Sequence, residues 1–223
     1  MSLVEVRAAV KHYRLGHATV IALRGVDLEV REGEFVAIAG PSGSGKTTLL
    51  NLIGAIESPT VGTITLDGLD LGMLSGDARS ELRANRLGFI FQRFNLLPVL
   101  TALENVEFAL LTKRLSAPKR RALAQEALER VGLSGVLRHK PLELSGGQQQ
   151  RVAIARAIVT SPKLILADEP TANLDHETGS QILELMRQLN QQRGTTFIFS
   201  THDQQIMEMA NRTVKLWDGA VAP

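Results

Sequence analysis

The segment Gly40–Thr47 reads Gly-Pro-Ser-Gly-Ser-Gly-Lys-Thr and joins a strand-like run, Glu34–Ala39, to a helix-like run, Lys46–Ile53. Its glycines allow successive backbone N–H groups to converge on phosphate oxygens at a helix N-terminus. A lysine then neutralises the β- and γ-phosphates, and a threonine hydroxyl coordinates Mg²⁺. An ordinary glycine-rich turn does not need Lys-Thr directly after its last glycine. The segment therefore predicts a nucleotide phosphate loop, with contacts from Gly40, Pro41, Ser42, Gly43, Ser44, Gly45, Lys46, Thr47 and Thr48.

The remaining apolar patterns predict an α/β fold with a mostly parallel core sheet. Lys163–Ala167 and Thr196–Ser200 are short continuous apolar runs typical of buried strands. Between them, His176–Asn190 has the periodicity of an amphipathic helix, with Ile182, Leu185, Met186 and Leu189 facing inward. Strands that alternate with helices pair in parallel and are covered on both faces.

Two other regions depart from this alternation. Leu3–Val10, Val26–Val30 and Gly62–Leu66 are short alternating segments bounded by turns, which favours a small antiparallel β layer. Strand patterns vanish between Phe94 and Thr160, where Pro118–Val131 places Leu123, Ala127, Leu128 and Val131 on one helix face. We therefore expect one domain over 1–223, with a core of 1–92 and 160–223 and an inserted helical subdomain at approximately 93–159.

Composition excludes several classes of protein. Cysteine is absent, so disulfides, thiolate nucleophiles and cysteine-ligated zinc are excluded. The net charge is +2 and no basic stripe occurs, which argues against a nucleic-acid partner. The longest apolar stretches, such as Val36–Ala39 and Leu164–Ala167, fall far short of the ~20 residues that cross a bilayer. Any role at a membrane is therefore expected to come through a partner.

Two acids, Asp168 and Glu169, follow the buried run Leu164–Ala167. The carboxyl ends of parallel strands meet at the edge of the sheet where such folds bind ligands. We expect Asp168 to hold Mg²⁺ and Glu169 to accept a proton from the water that attacks the γ-phosphate. Paired acids also cap helices, but their position after a phosphate loop favours catalysis.

His202 and Gln92 also follow strand-like runs, Phe197–Thr201 and Leu87–Phe91. The position of His202 predicts a residue that hydrogen-bonds the γ-phosphate and orients the attacking water. The amide of Gln92 is expected to reach both Mg²⁺ and that water. The predicted catalytic group consists of Glu169, His202, Gln92 and Lys46.

A second cluster of donors, Leu144-Ser145-Gly146-Gly147-Gln148, precedes the helix-like run Gln149–Val159. It predicts a second anion site at a helix N-terminus. Since one loop already satisfies the phosphates of its own nucleotide, the second site is expected to act on a nucleotide bound to another copy. This predicts a two-fold homodimer with two ATP molecules at its interface, each contacted in trans by Ser145, Gly146, Gly147 and Gln148.

Over nearly its whole length the chain resembles the ABC ATPase family, a group of P-loop NTPases. The phosphate loop, Gln92, LSGGQ, Asp168-Glu169, Ala172–Asp175 and His202 occur in the family's order. The resemblance implies that Asn173, Leu174 and Asp175 lie at the dimer interface. It also implies that an aromatic residue upstream of the phosphate loop stacks on adenine. Tyr13, the one tyrosine, is the candidate, with Val20 beside its ring; an ordinary part-buried tyrosine, with His12 or His17 near the base, is the alternative.

Within the family, Gly88–Leu97 and Thr101–Val106 resemble the bacterial group of lipoprotein-release, macrolide-export and cell-division ATPases, the LolD, MacB and FtsE types. This resemblance implies an ATP-binding and ATP-hydrolysing subunit that drives an FtsX- or MacB-like integral membrane permease by mechanotransmission. It would be peripheral, at the cytoplasmic face of the inner membrane. A groove for that partner is expected at Arg93–Glu104, with Phe94, Leu96, Leu97 and Leu100 as anchors.

Two other functions remain as alternatives. One is an ATPase of a cell-division or cell-wall regulatory complex that moves no substrate. The other is an ABC-type ATPase that works on DNA or ribosomes. The second is opposed by a single nucleotide domain, by the lack of a coiled-coil insertion and by the lack of a basic stripe.

Overall fold

The computed structural model of the protein describes residues 2–16 and 18–222, which form two β-sheets and seven α-helices. The strands are β1 (Ser2–Leu15), β2 (Ala18–Arg31), β3 (Phe35–Ala39), β4 (Val61–Leu66), β5 (Leu69–Asp70), β6 (Leu87–Ile90), β7 (Leu164–Asp168), β8 (Thr196–Thr201), β9 (Arg212–Trp217) and β10 (Ala220–Val221). The helices are α1 (Lys46–Ile53), α2 (Gly76–Arg86), α3 (Ala102–Phe108), α4 (Ala117–Arg130), α5 (Gly146–Ile158), α6 (His176–Arg193) and α7 (Gln204–Met209).

The core sheet has six strands in the order β10-β9-β3-β8-β7-β6. All neighbours pair in parallel except β10, which is antiparallel to β9. The predicted α/β class with a mostly parallel sheet is therefore confirmed. Every residue of β3 and β8 is buried because apolar clusters cover both faces of the sheet. The parallel register brings the carboxyl ends of β3, β7 and β8 to one edge, where the predicted site lies.

The second sheet is antiparallel, in the order β2-β1-β4-β5, as the sequence predicts. Its first two strands are longer than expected, because each continues into a hairpin arm that pairs Tyr13 with Val20. A bulge at Ala8 interrupts the pairing: this residue has a φ of 46°, and its N–H donates to Asp27 Oδ1 over 2.9 Å. The arm is largely exposed, so it lacks the apolar alternation that reveals a half-buried strand.

Residues 93–159 contain three helices, α3 to α5, and no strand in their described structure. The Thr101 hydroxyl caps α3, and Glu104 bonds back to the Thr101 N–H, forming a capping box. On α4, Ala127 and Leu128 are buried as predicted. Leu123 was predicted to lie on the same apolar face, but it is only half-buried, and Ala124 takes the fully buried position. On α6, Ile182, Met186 and Leu189 are buried and Leu185 packs against the core, as predicted, and Leu183 is buried as well.

The turn between β9 and β10 packs against the loop Gly40–Thr47. The N–H of Gly219 donates to the Ser44 carbonyl over 3.0 Å, and the Arg24 N–H donates to the Gly219 carbonyl over 2.7 Å. A Cβ on Gly40 would collide with the carbonyl oxygen of Leu216. The shape of this loop therefore depends on residues close to the other end of the sequence.

Candidate functional site

The loop Gly40–Thr47 leads from β3 into α1, which starts at Lys46 as predicted. Gly45 is the N-cap, with a φ of 102°, and a Cβ there would lie 2.5 Å from the Ala22 carbonyl oxygen. Glycine is therefore required at this position for both conformation and space. The result is a concave backbone at a helix N-terminus, the arrangement that binds phosphate.

The Lys46 side chain is almost buried beneath this loop. Its ammonium donates to the carbonyls of Gly40 and Pro41 over 2.8 and 3.0 Å. It also lies 3.9 Å from Glu169 Oε1. A single cation thus contacts both the phosphate loop and the predicted catalytic acid.

Asp168 ends β7 and faces the first turn of α1. Thr47 Oγ1 lies 3.2 Å from each of its carboxylate oxygens. The hydroxyl of Ser200, its register partner on β8, donates to Asp168 Oδ1 over 2.5 Å. The predicted pair Thr47 and Asp168 is therefore brought together, and Ser200 joins it. Sequence reasoning missed Ser200, although its place beside Asp168 follows from strand register.

Glu169 adopts a φ of 46°, which is uncommon for a residue with a side chain. Such strain persists where the surrounding structure enforces it, and it concentrates at functional sites. The Glu169 N–H donates to the Ser200 carbonyl over 2.9 Å, and Glu169 Oε1 lies 2.9 Å from His202 Nδ1. Glu169, His202 and Lys46 thus form one cluster, in which His202 is the exposed member.

Gln92 lies in a turn two residues beyond β6, with its side chain exposed. Its carbonyl accepts a hydrogen bond of 2.7 Å from Asn173 Nδ2. Asp175 caps α6 by accepting from the Thr178 N–H over 2.9 Å, and this bond lowers the pKa of the Asp175 carboxyl. Leu174 packs against the core. The segment after Glu169 therefore contacts the segment that carries Gln92.

The Ser145–Gln148 segment forms the first turn of α5. The Ser145 hydroxyl accepts from the Gln148 N–H over 3.2 Å, and Gln148 Oε1 accepts from the Ser145 N–H over 2.9 Å. A Cβ on Gly147 would lie 2.5 Å from Thr178. As the cap, Ser145 uses only an acceptor lone pair, so its O–H proton is available to an anion. Across the described ranges, no hydrogen bond joins Ser145–Gln148 to the phosphate loop.

Tyr13 is half-buried on the hairpin arm, opposite the exposed Val20. Its hydroxyl donates to Glu57 Oε2 over 2.8 Å. Burial, with Glu57 adding to it, raises the pKa of the Tyr13 hydroxyl. His12 is exposed, and His17 lies outside the described residues. The sequence analysis missed Glu57, because nothing local connects this glutamate to a tyrosine far away in the chain.

A magnesium ion fits the donors at the edge of the sheet. The Thr47 hydroxyl and the Asp168 carboxylate are hard oxygen donors, held side by side. Residues 2–16 and 18–222 contain no group of three or more His, Asp or Glu side chains that could hold a metal ion by themselves. Magnesium suits such a site because it usually takes one or two protein oxygens and completes its shell with phosphates and water.

A groove of about 410 Å³ lies between α2, β6 and the segment after Gln92. Phe89, Phe91 and Phe108 contribute aromatic surface, and Arg83 and Arg156 contribute charge. None of the four anchors expected from the sequence, Phe94, Leu96, Leu97 and Leu100, lines this groove. Leu97 is 39% exposed outside it, and Leu96 packs on the core. The Arg156 guanidinium donates to the carbonyls of Phe94 and Asn95 over 2.8 and 2.5 Å, and burial lowers its pKa.

No helix among the described residues is long and apolar enough to cross a membrane.

The fold and this cluster of loop, lysine and acids define a P-loop ATPase. The ABC transporter family model matches residues 23–172. The chain therefore belongs to the ABC transporter family, and it is an ATP-binding, ATP-hydrolysing subunit of such a transporter.

Relatives and solved structures agree with this assignment. The chain is 45% identical to an uncharacterized ABC transporter ATP-binding protein, MJ0796, of Methanocaldococcus jannaschii, covering 98% of this chain and 95% of that protein. It is 46% identical to the lipoprotein-releasing system ATP-binding protein LolD of Anaeromyxobacter dehalogenans, covering 98% and 92%. The dimeric structure of the MJ0796 cassette in a post-hydrolysis state with ADP and Pi matches with a TM-score of 0.92 at 44% identity, covering 99% and 97%.

The macrolide export ATP-binding/permease protein MacB of Syntrophobacter fumaroxidans is 46% identical over all of this chain. The match covers only 32% of that longer protein.

Proposed function

We propose that two copies of this chain enclose two ATP molecules and that hydrolysis moves a membrane subunit. The convergence of Glu169, His202 and Lys46 next to the phosphate loop carries this proposal. The dimeric structure of a relative with ADP and Pi supports the two-copy arrangement.

In this dimer, Gly40–Thr48 binds the phosphates and Tyr13, flanked by Val20, stacks on adenine. The α5 N-terminus of the second copy completes the site. There the N–H groups of Gly146 and Gly147, the free proton of Ser145 and the Gln148 side chain face the γ-phosphate. Asn173, Leu174 and Asp175 lie at the interface.

Hydrolysis starts with a water molecule that Glu169 and His202 hold in line with the γ-phosphorus. The water oxygen bonds to phosphorus, the bond to the β–γ bridging oxygen breaks, and the water proton passes to Glu169. Lys46 balances the charge that develops on the phosphates. Because His202 Nδ1 donates to Glu169, its Nε2 donates to phosphate only when the ring carries both protons.

Magnesium is the proposed metal cofactor, held by Thr47, Asp168 and Gln92, and it neutralises phosphate charge when bound. The chain itself contributes the placement of these oxygens. Thr47 Oγ1 already lies 3.2 Å from each carboxylate oxygen of Asp168, so these two side chains need little rearrangement to hold the ion together. Gln92 reaches the site from a turn that is hydrogen-bonded to Asn173.

The membrane partner in this proposal is an FtsX- or MacB-like permease at the cytoplasmic face of the inner membrane. The chain docks there peripherally and transmits force for lipoprotein release or macrolide export. The groove beside Phe91 and Phe108 adjoins the turn of Gln92, so a segment seated in it is coupled to the site. Residues 1–92 and 160–223 act as the catalytic core, and the groove lies where this core meets the helical subdomain at 93–159.

The variant Glu169→Gln tests the catalytic proposal. It keeps the shape of the acid but cannot accept the proton, so turnover should fall at least about 100-fold while ATP is still bound. The variant should accumulate as a nucleotide-bound dimer in size-exclusion chromatography. Glu184→Gln, on the exposed face of α6, is the matched control. Normal turnover of Glu169→Gln would remove Glu169 from the mechanism.

A further inference from the structure

Glu57 lies in the loop after α1 and accepts hydrogen bonds from three side chains. Tyr13 Oη and Lys11 Nζ lie 2.8 and 3.0 Å from Glu57 Oε2. Asn51 Nδ2 lies 3.3 Å from Glu57 Oε1. One carboxylate therefore ties together the hairpin arm, the loop and the helix that follows the phosphate loop.

Lys11 adds two further constraints to this group. Its ammonium donates to the Ser58 carbonyl over 2.8 Å. It also lies over the Tyr13 ring, 5.1 Å from the ring centroid. A cation at this distance attracts the face of an aromatic ring. One face of Tyr13 is thus occupied by Lys11, which leaves the other face for a planar ligand.

The charges match this geometry. Burial by itself raises the pKa of Glu57, but the hydrogen bonds from Lys11, Tyr13 and Asn51 outweigh it, and the net pKa is lowered. The pKa of Tyr13 is raised, by burial first and by Glu57 second. At neutral pH, Glu57 is therefore an anion that accepts, and Tyr13 is a neutral phenol that donates.

The group also fixes the ring relative to the phosphate loop. Asn51 lies one helical turn after Thr47 on α1, so its bond to Glu57 relates the loop to the first turn of that helix. The backbone of the arm is held by its pairing with β2 and by the His12 N–H, which donates to Thr60 Oγ1 over 3.0 Å, so the contacts of Glu57 act on the orientation of the Tyr13 side chain.

We infer that Glu57 is a positioning residue for the nucleotide base, acting by holding Tyr13 at the distance from the phosphate loop that an adenosine triphosphate spans. This inference rests on the proposed stacking of Tyr13 on adenine and deepens it. Its physical basis is preorganisation, since a side chain that is ordered before binding loses less entropy when the ligand arrives. Glu57 should therefore act on affinity for ATP rather than on the rate of hydrolysis.

The test compares Glu57→Ala, Glu57→Gln, Tyr13→Phe and Tyr13→Ala with the unchanged chain. The measurements are the kcat and KM of ATP hydrolysis and the inhibition constant of inorganic triphosphate, which has no base. Glu5→Ala, which removes an exposed glutamate paired with Arg7 on the same strand, is the control. Circular dichroism verifies that each variant is folded.

We expect Glu57→Ala and Tyr13→Phe to raise KM about 3- to 10-fold, the range that corresponds to ordering one side chain. Their kcat should stay within about twofold, and the inhibition constant of triphosphate should not change. Glu57→Gln, which still offers an oxygen to the tyrosine, should lie between Glu57→Ala and the unchanged chain. Tyr13→Ala should raise KM by more than Glu57→Ala or Tyr13→Phe does.

Other outcomes separate the inference from the proposal beneath it. An unchanged KM in Tyr13→Ala would overturn the adenine stack and the inference together. A raised KM in Tyr13→Ala with no effect of Glu57→Ala or Tyr13→Phe would overturn the inference alone. Equal weakening of ATP and triphosphate by Glu57→Ala would also overturn it, because Glu57 would then act on the phosphate loop. If Glu57→Ala does not fold, Tyr13→Phe decides alone.

Discussion

The hydroxyl of Ser200 donates a 2.5 Å hydrogen bond to Asp168 Oδ1, and Ser200 is completely buried between the sheet and its helices. The two residues are partners in the register of β7 and β8. This bond fixes the rotation of the carboxylate, and Thr47 Oγ1 lies within 3.2 Å of both of its oxygens. Ser200 thus determines how Asp168 faces the proposed metal position.

Replacement of this serine should weaken metal binding. Outer-shell partners of metal ligands typically change affinity 10- to 100-fold, so we expect Ser200→Ala to raise the Mg²⁺ concentration for half-maximal hydrolysis by about 10-fold or more. Calorimetric titration of Mg²⁺ into the protein with a non-hydrolysable ATP analogue should show the same shift. Ser180→Ala, on α6, is the control. Identical Mg²⁺ curves for Ser200→Ala and the unchanged chain would contradict this role.

Changes at the partner groove should separate hydrolysis from membrane attachment. Phe108 lines the groove, whereas Leu97 and Arg93 belong to the neighbouring segment that contributes Asn95 to it. Leu97→Ala, Phe108→Ala and the charge reversal Arg93→Glu should each reduce co-purification with the membrane subunit, because a few apolar and arginine side chains carry most of the binding energy of such interfaces. Basal hydrolysis should stay within about twofold, since none of the three contacts the proposed reacting atoms.

Leu142→Ala is the control for this series, because Leu142 is 92% exposed and does not line the groove. If the membrane subunit co-purifies in normal yield with Leu97→Ala, Phe108→Ala and Arg93→Glu, the partner binds elsewhere.

The ion pair between Asp67 and Lys163 predicts a pH-dependent contribution to stability. Lys163 Nζ lies 2.9 Å from Asp67 Oδ2, and Arg86 also contacts this carboxylate. The hydrogen bond from Lys163 is the main cause that lowers the pKa of Asp67 from its ordinary value of 3.8. The folded state therefore favours the ionised form, so the stabilisation is present above pH 3.8 and is lost as pH falls through the lower folded pKa.

We expect Asp67→Asn to lower the free energy of unfolding at pH 7 by about 0.5–1 kcal/mol, since the pair is partly exposed. Asparagine tolerates the positive φ of this position, so backbone strain adds little. Urea denaturation at pH 7 and at successively lower pH measures the difference, which should shrink once the pH falls below 3.8 and through the lower folded pKa. A double-mutant cycle with Lys163→Ala isolates the pair. A difference that does not depend on pH would refute the electrostatic explanation.

Gly219 should be intolerant of any side chain. Its φ is +78°, and a Cβ would lie 2.8 Å from the Ala22 carbonyl oxygen. We expect Gly219→Ala to cost about 1–3 kcal/mol of stability and to weaken ATP binding, because the bond to the Ser44 carbonyl is displaced. Chemical denaturation with and without ATP measures both effects. Gly135→Ala is the control, since a Cβ there meets no atom within 4 Å. Unchanged ATP affinity in Gly219→Ala would show that this turn does not support the loop.

The elements around the phosphate loop could be predicted because their signals are local. The glycines of Gly40–Gly45 and the apolar spacing of Leu49, Leu50 and Ile53 define α1 at its observed bounds. The buried strands β7 and β8 were recognisable from continuous apolar runs for the same reason. The acids and the histidine at their ends then follow from the geometry of parallel strands.

What escaped prediction depends on contacts between distant residues. The hairpin arm is largely exposed, and its half-buried Tyr13 stands among charged and polar residues, so the arm lacks the apolar alternation of a half-buried strand. The roles of Glu57 and Ser200 come from pairing with Tyr13 and Asp168, which are far away along the chain. The groove is lined by phenylalanines of two segments, Phe89 and Phe91 at the end of β6 and Phe108 at the end of α3, rather than by the single run from Phe94 to Leu100 that was expected from the sequence.

The contact between Gly219 and Ser44 also bears on how the protein is made. The phosphate loop leaves the ribosome before Leu216 and Gly219, the residues that support it, have been synthesised. A nascent chain therefore carries the loop before it has a stable shape for ATP. We therefore expect the loop to reach its ATP-binding shape only after Gly219 has been synthesised.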